Sequence, residues 1–136
     1  MLTVDINYLA VVVCGIISML IGAIWYGPVF SKVWMKEVGY TEDDLKKDFN
    51  PGKTYGLAVV SHTFMALVLA YFLQLTNASA ILESIRISLS AWFGFIFLTM
   101  FINSLFARKT FRLVAIDSGY QLVNMILFGI ILVLWR

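Results

Sequence analysis

Charge is scarce in this sequence. Lys and Arg number ten and Asp and Glu eight in 136 residues, 13% in all, too little to cover the surface of a soluble domain of that length. Cysteine occurs once, at Cys14, which excludes an internal disulfide and any multi-Cys metal site. It lies within an apolar run and reads as a small packing residue. Histidine also occurs once, at His62. One His and one intramembrane acid are too few ligands for a metal site, and no cofactor is implied. The formal net charge is only +2, and no basic cluster interleaves with aromatics, so nucleic acid is excluded as a partner. No nucleophile motif appears either, and the chain is not read as an enzyme.

What the chain has is apolar length. Hydrophobic residues make up 61% of it and the mean hydropathy is +0.89. A bilayer core of about 30 Å needs about 20 apolar helical residues, and four stretches supply them, near 6–26, 55–75, 85–107 and 113–135. Their apolar runs are continuous rather than alternating, which points to helices and not to barrel strands. The fold expected is all-α: one polytopic transmembrane domain, a four-helix bundle over residues 1–136. The first run follows MLTVD, without a basic segment, and reads as a retained helix rather than a signal peptide. Lys32, Lys36, Lys46, Lys47 and Lys53 lie between spans one and two, and Arg108, Lys109 and Arg112 between spans three and four. Only Arg86 and Arg136 fall on the other side. That asymmetry places the basic loops in the cytoplasm of an inner (plasma) membrane protein with both termini outside.

The loop 27–54 is the one sizeable segment outside the spans. Pro28 cannot donate a helical hydrogen bond and should end span one. Val29, Phe30, Val33, Trp34 and Val38 then share one helical face opposite Ser31, Lys32, Lys36 and Glu37, the pattern of an amphipathic helix lying in the membrane interface. Gly39 suits its C-terminus. Thr41 suits the N-cap of a short solvated helix with Glu42–Lys46 and Asp43–Lys47 pairs. Asn50-Pro51-Gly52 stops that helix and leads into span two.

Membrane helices meet through close packing and polar contacts. Cys14, Ser18 and Gly22 are spaced four apart in span one, as are Ser90 and Gly94 in span three. Such tracks serve packing within the bundle or an oligomer interface. Span four carries Asp117, Gln121 and Asn124 on one face, which should point to protein or water rather than lipid. At 1.5 Å per residue Asp117 lies about 8 Å, and His62 of span two about 12 Å, from the basic side. Asn103 lies at a similar level in span three. Three readings stay open for this candidate cluster of His62, Asn103, Asp117, Gln121 and Asn124. It is a buried network fixing helix register, or a site that binds or conducts an ion, lipid or small molecule, or a His62 base oriented by Asp117. Asp117 could alternatively pair with Arg108 or Arg112 at the boundary.

The run G22-A-I-W-Y-G-P-V-F-S-K-V-W-M-K-E-V-G39 resembles the opening of the bacterial membrane family called domain of unknown function 1761, with its Trp-Tyr-x-Pro-x-Phe pattern followed by a Trp and a Gly. T41-E-D-D44, N50-P-G-K53, G119-Y120 and the late Trp135 are similar too. The resemblance covers nearly the whole chain. It implies a small prokaryotic four-helix membrane protein and carries no activity. Trp25, Tyr26, Pro28, Phe30 and Trp34 are the motif positions. Read from physics alone, they are interfacial aromatics and a helix break that aims the chain along the membrane surface. Two functions remain: a scaffold or self-associating protein, as a homo-oligomer or within a larger membrane complex, or a binder or conductor of an ion, lipid or apolar molecule.

Overall fold

The computed structural model describes residues 3–136; Met1 and Leu2, part of the N-terminal stretch without basic residues, lie outside the described residues. Among the described residues there are only helices: α1 (Tyr8–Ile24), α2 (Ser31–Val38), α3 (Glu42–Lys46), α4 (Pro51–Leu75), α5 (Ile81–Ala91), α6 (Leu98–Ala107) and α7 (Phe111–Leu134). Two π-wound segments, Trp25–Val29 and Trp92–Phe97, extend α1 and join α5 to α6. Four of the resulting helices are long and apolar enough to cross a membrane: Tyr8–Val29, Pro51–Leu75, Ile81–Ala107 and Phe111–Leu134. Their outward faces carry large apolar side chains, such as Phe95 at 72% exposure. Helices surrounded by acyl chains carry such surfaces because their backbone groups are already satisfied internally.

The spans start where side chains can satisfy free backbone N–H groups. The Asn7 side chain accepts from Ala10 N at 3.1 Å to open α1. The Asn50 side chain accepts from Lys53 N at 3.1 Å, and Pro51 fits the first turn, so α4 begins four residues before the apolar run. Glu83 accepts from the N–H groups of Ser79 and Ala80, which draws the polar first turn of α5 into the helix at Ile81.

α7 is the most buried span and packs on α1, α2, α4, α5 and α6. Phe128 of α7, Leu69 and Ala66 of α4, and Ala10 and Cys14 of α1 meet in the core. Two seams are close enough to exclude a side chain. A Cβ at Gly15 of α1 would overlap the Thr63 hydroxyl and come within 3.2 Å of the Thr63 backbone nitrogen. A Cβ at Gly129 of α7 would overlap the Ser88 hydroxyl and come within 3.2 Å of the Ser84 carbonyl. Cys14 and Ser18 are fully buried, and Gly22 faces Tyr120. Ser90 and Gly94 differ from an internal seam: both are exposed, and a Cβ at Gly94 would meet nothing. The internal face of span three is Ser84–Ser88, the same four-residue spacing rotated around the helix. Span three touches α4 little, and an apolar groove lined by Phe64, Phe72, Phe95 and Met125 runs between them.

In the loop, Gly39 closes α2 with φ of 84°. Thr41 and Asp44 cap α3 reciprocally, and the Thr41 backbone N–H and hydroxyl hold the Asp44 carboxyl below its usual range. The Glu42–Lys46 and Asp43–Lys47 pairs do not close. Among the described residues the ion pair formed is Arg112–Glu37 at 3.5 Å. Thr110 Oγ1 also donates to Glu37, at 2.6 Å, so Glu37 ties α2 to the start of α7.

Candidate functional site

The site begins where α1 ends. Gly27 leaves helical geometry (φ −98°, ψ −105°), Pro28 follows, and the Phe30 N–H reaches back to Trp25 O at 2.9 Å. A helix interrupted by proline in this way turns and exposes backbone groups that need partners. The turn carries Trp25 and Tyr26 inward against α7. The Trp25 indole donates to Ile116 O at 2.9 Å. Its ring lies over Gly119, where a Cβ would come within 3.0 Å. From the other π-wound segment, the Trp92 indole donates to Ser118 O at 2.8 Å. Each helical carbonyl has a second lone pair, and a buried indole N–H needs an acceptor. The two indoles thus hold spans one and three to the same turn of α7. Phe30 packs on Trp25 with centroids 4.7 Å apart.

Tyr26 and the polar stripe meet directly. The Tyr26 hydroxyl donates to Asp117 Oδ1 at 2.7 Å. Trp34 of α2 stands edge-on to Tyr26, centroids 5.8 Å apart. Tyr120 packs edge-on against Tyr26 at 5.3 Å and His62 at 5.7 Å, and its hydroxyl donates to Ser18 O at 2.7 Å. The interfacial motif and the intramembrane stripe are therefore one assembly. Trp25 and Tyr26 point into the bundle rather than along its surface.

His62 is held at both ring nitrogens. Its Nδ1 lies 2.8 Å from Ala58 O, a group that only accepts, so Nδ1 carries a proton. Its Nε2 lies 3.2 Å from Gln121 Oε1. A proton on Nε2 would donate to that oxygen as it is placed, whereas a ring without one needs the amide turned over to present its nitrogen. Asn124 Nδ2 lies 3.4 Å from the same Gln121 oxygen, while Asn124 Oδ1 is buried without a partner.

A cavity of about 720 Å³ adjoins these groups. Gly22 and Tyr26 of the first span, Thr54, Tyr55, Ala58 and His62 of α4, and Tyr120 of α7 line it. Its origin is geometric: α1 and α4 are in close contact at Gly15 and Thr63 and part toward the loop end. The volume is within the range of small-molecule sites, about 300–1,000 Å³.

Other placements differ from the sequence reading. Asn103 is exposed on α6 and lines, with Asp117 and Lys109, a separate groove of about 230 Å³. It stands outside the buried network because the face of α6 that meets α7 carries Ser104 instead. Asp117 pairs with Tyr26, not with Arg108 or Arg112; Arg112 is taken by Glu37. His62 and Asp117 share no hydrogen bond, so the base-and-orienter pair is not made. Among the described residues no group of three His, Cys, Asp or Glu could hold a metal ion. Nothing in the sequence pattern singles out Trp92, and Gly119 and Tyr120 stand out there only as family positions. A polar-tipped aromatic inside an apolar run was the available signal, since such a tip needs a partner.

The chain belongs to the family described as Protein of unknown function (DUF1761), whose model matches residues 9–133. No curated protein and no solved structure matches the chain.

Proposed function

We propose that this member of the DUF1761 family is a small-molecule binding protein of the membrane, and that its site is the cavity between the first span and α4. One observation carries the reading. A cavity of about 720 Å³ sits where Tyr26, His62 and Tyr120 converge from three spans, instead of being filled as a helix seam. Apolar walls with a few convergent polar groups are the usual composition of a ligand site. The assembly reading has less support. Of the two small-residue tracks, Cys14, Ser18 and Gly22 are used inside the bundle, and Ser90 and Gly94 lie on an outward face.

The cavity lies at the loop end of the two spans, on the side that the Lys and Arg asymmetry favours as cytoplasmic, with α2 along that membrane surface. A reporter fused after Arg136 that works only outside the cytoplasm should be active. Silence there, with activity after Lys47, would reverse the orientation.

A photo-crosslinking residue tests the site in native membranes. Placed at Tyr55 in the cavity mouth, it should trap one discrete small-molecule mass. Placed at Tyr71, on the exposed far part of α4, it should trap only the bulk lipid distribution. The same lipid distribution at both positions would sink the proposal.

A further inference from the structure

We infer that the ligand of this cavity is an organic cation with apolar substituents; the inference rests on the cavity being a binding site. The hydrogen-bond donors of its inner wall are already committed. The Tyr26 hydroxyl hydrogen is spent on Asp117, that of Tyr120 on Ser18 O, and the Nδ1 proton of His62 on Ala58 O. No Lys or Arg lines the cavity. What the lining side chains Tyr26, Tyr120 and His62 retain is electron-rich: oxygen lone pairs and aromatic rings. The only uncommitted hydroxyls, those of Thr54 and Tyr55, stand exposed at the mouth.

The ring geometry agrees. Tyr26 and Tyr120 meet at 75°, and His62 and Tyr120 at 65°, so the three rings form corners rather than one flat wall. A cation against such rings is attracted by their quadrupoles, more strongly once desolvated. Behind Tyr26 stands Asp117, an acid with no cationic partner within ion-pair distance among the described residues. A phenol that donates to a carboxylate has its ring made more electron-rich.

Competing ligand classes fit less well. An anion would find no Lys or Arg and no spare inner donor. A carbonyl compound would find donors only at the mouth. A bare metal ion needs several oxygen ligands that the wall lacks. A saturated hydrocarbon would leave the phenol oxygens without use.

The test uses two probes of matched size and opposite charge, tetraphenylphosphonium and tetraphenylborate, with the full-length protein in neutral detergent and empty micelles as the blank. Tetraphenylphosphonium should bind at least about tenfold more tightly than the anion, a margin of about 1.4 kcal/mol. Asp117→Asn should weaken it by about tenfold, and Tyr26→Phe, which keeps the ring and breaks the link to Asp117, by about threefold. Helix content by circular dichroism should be unchanged in both. Ala58→Phe, which places a ring in the cavity, should abolish binding. Equal affinity for both probes, each lost in Ala58→Phe, would overturn the cation assignment and leave the cavity as the site. No binding of tetraphenylphosphonium, or binding indifferent to Asp117→Asn and Tyr26→Phe, would overturn it as well. Binding that persists in Ala58→Phe would remove the cation from the cavity altogether.

Discussion

Gly15→Leu is expected to cost about 3 kcal/mol of stability, the upper part of the usual range for overpacking a close contact. The reason is local. A Cβ at Gly15 would overlap the Thr63 hydroxyl, approach Thr63 Cβ to 3.1 Å and approach the Thr63 backbone nitrogen to 3.2 Å. Rotating the hydroxyl away sacrifices its 2.8 Å bond to Val59 O. The backbone nitrogen cannot move without its helix. A leucine therefore pushes α1 from α4 along their whole contact, the most extensive in the protein. Gly15→Ala should cost less, about 1 kcal/mol, and Thr63→Ala should recover part of that loss. Thermal unfolding in a lipid nanodisc reads all three variants. A Gly15→Leu protein as stable as the original would show that the two helices are not in close contact.

The seam bears on function because it shapes the site. Below Gly15 the same helices diverge, and the cavity fills the gap between Gly22 and Ala58. Variants that part the helices at Gly15 should therefore perturb the cavity as well as the fold.

The four spans were legible because apolar runs of about 20 residues with so little charge have one stable arrangement in water-poor surroundings. Their ends were less so, since Asn50 and Glu83 recruit polar residues into the first turns of α4 and α5. The stripe Asp117, Gln121 and Asn124 was legible from its helical spacing. Its partners were not, because the facing of Tyr26 and Tyr120 depends on the break at Gly27-Pro28 and on how closely α1 approaches α7. Small-residue tracks illustrate the limit. Ser84–Ser88 and Ser90–Gly94 have identical spacing in one helix, yet the first is buried and the second exposed. Spacing sets which residues share a face, and only the neighbouring helices decide which face is inside. Gly15 was hidden beside Cys14 for the same reason. The π-wound segment Trp92–Phe97 contains no proline to announce it.

The second large effect expected is loss of ligand in Ala58→Phe. Ala58 lines the cavity from α4, and its methyl group faces open space rather than a packed wall. Phenylalanine adds a ring there without disturbing the carbonyl that accepts from His62 Nδ1. The variant should fold and melt like the original protein, which separates it from Gly15→Leu. Its effect should be confined to occupancy. Tyr26, His62 and Tyr120 keep their hydrogen bonds, so a lost ligand would not trace to a lost network.

Native mass spectrometry of the protein released from nanodiscs prepared out of its own membranes measures that occupancy directly. The protein should carry one stoichiometric small-molecule mass, and Ala58→Phe should carry none while retaining the same oligomeric state and helix content. An original protein that carries no bound mass, or an Ala58→Phe variant that retains the same one, would contradict the claim that this cavity is the functional site.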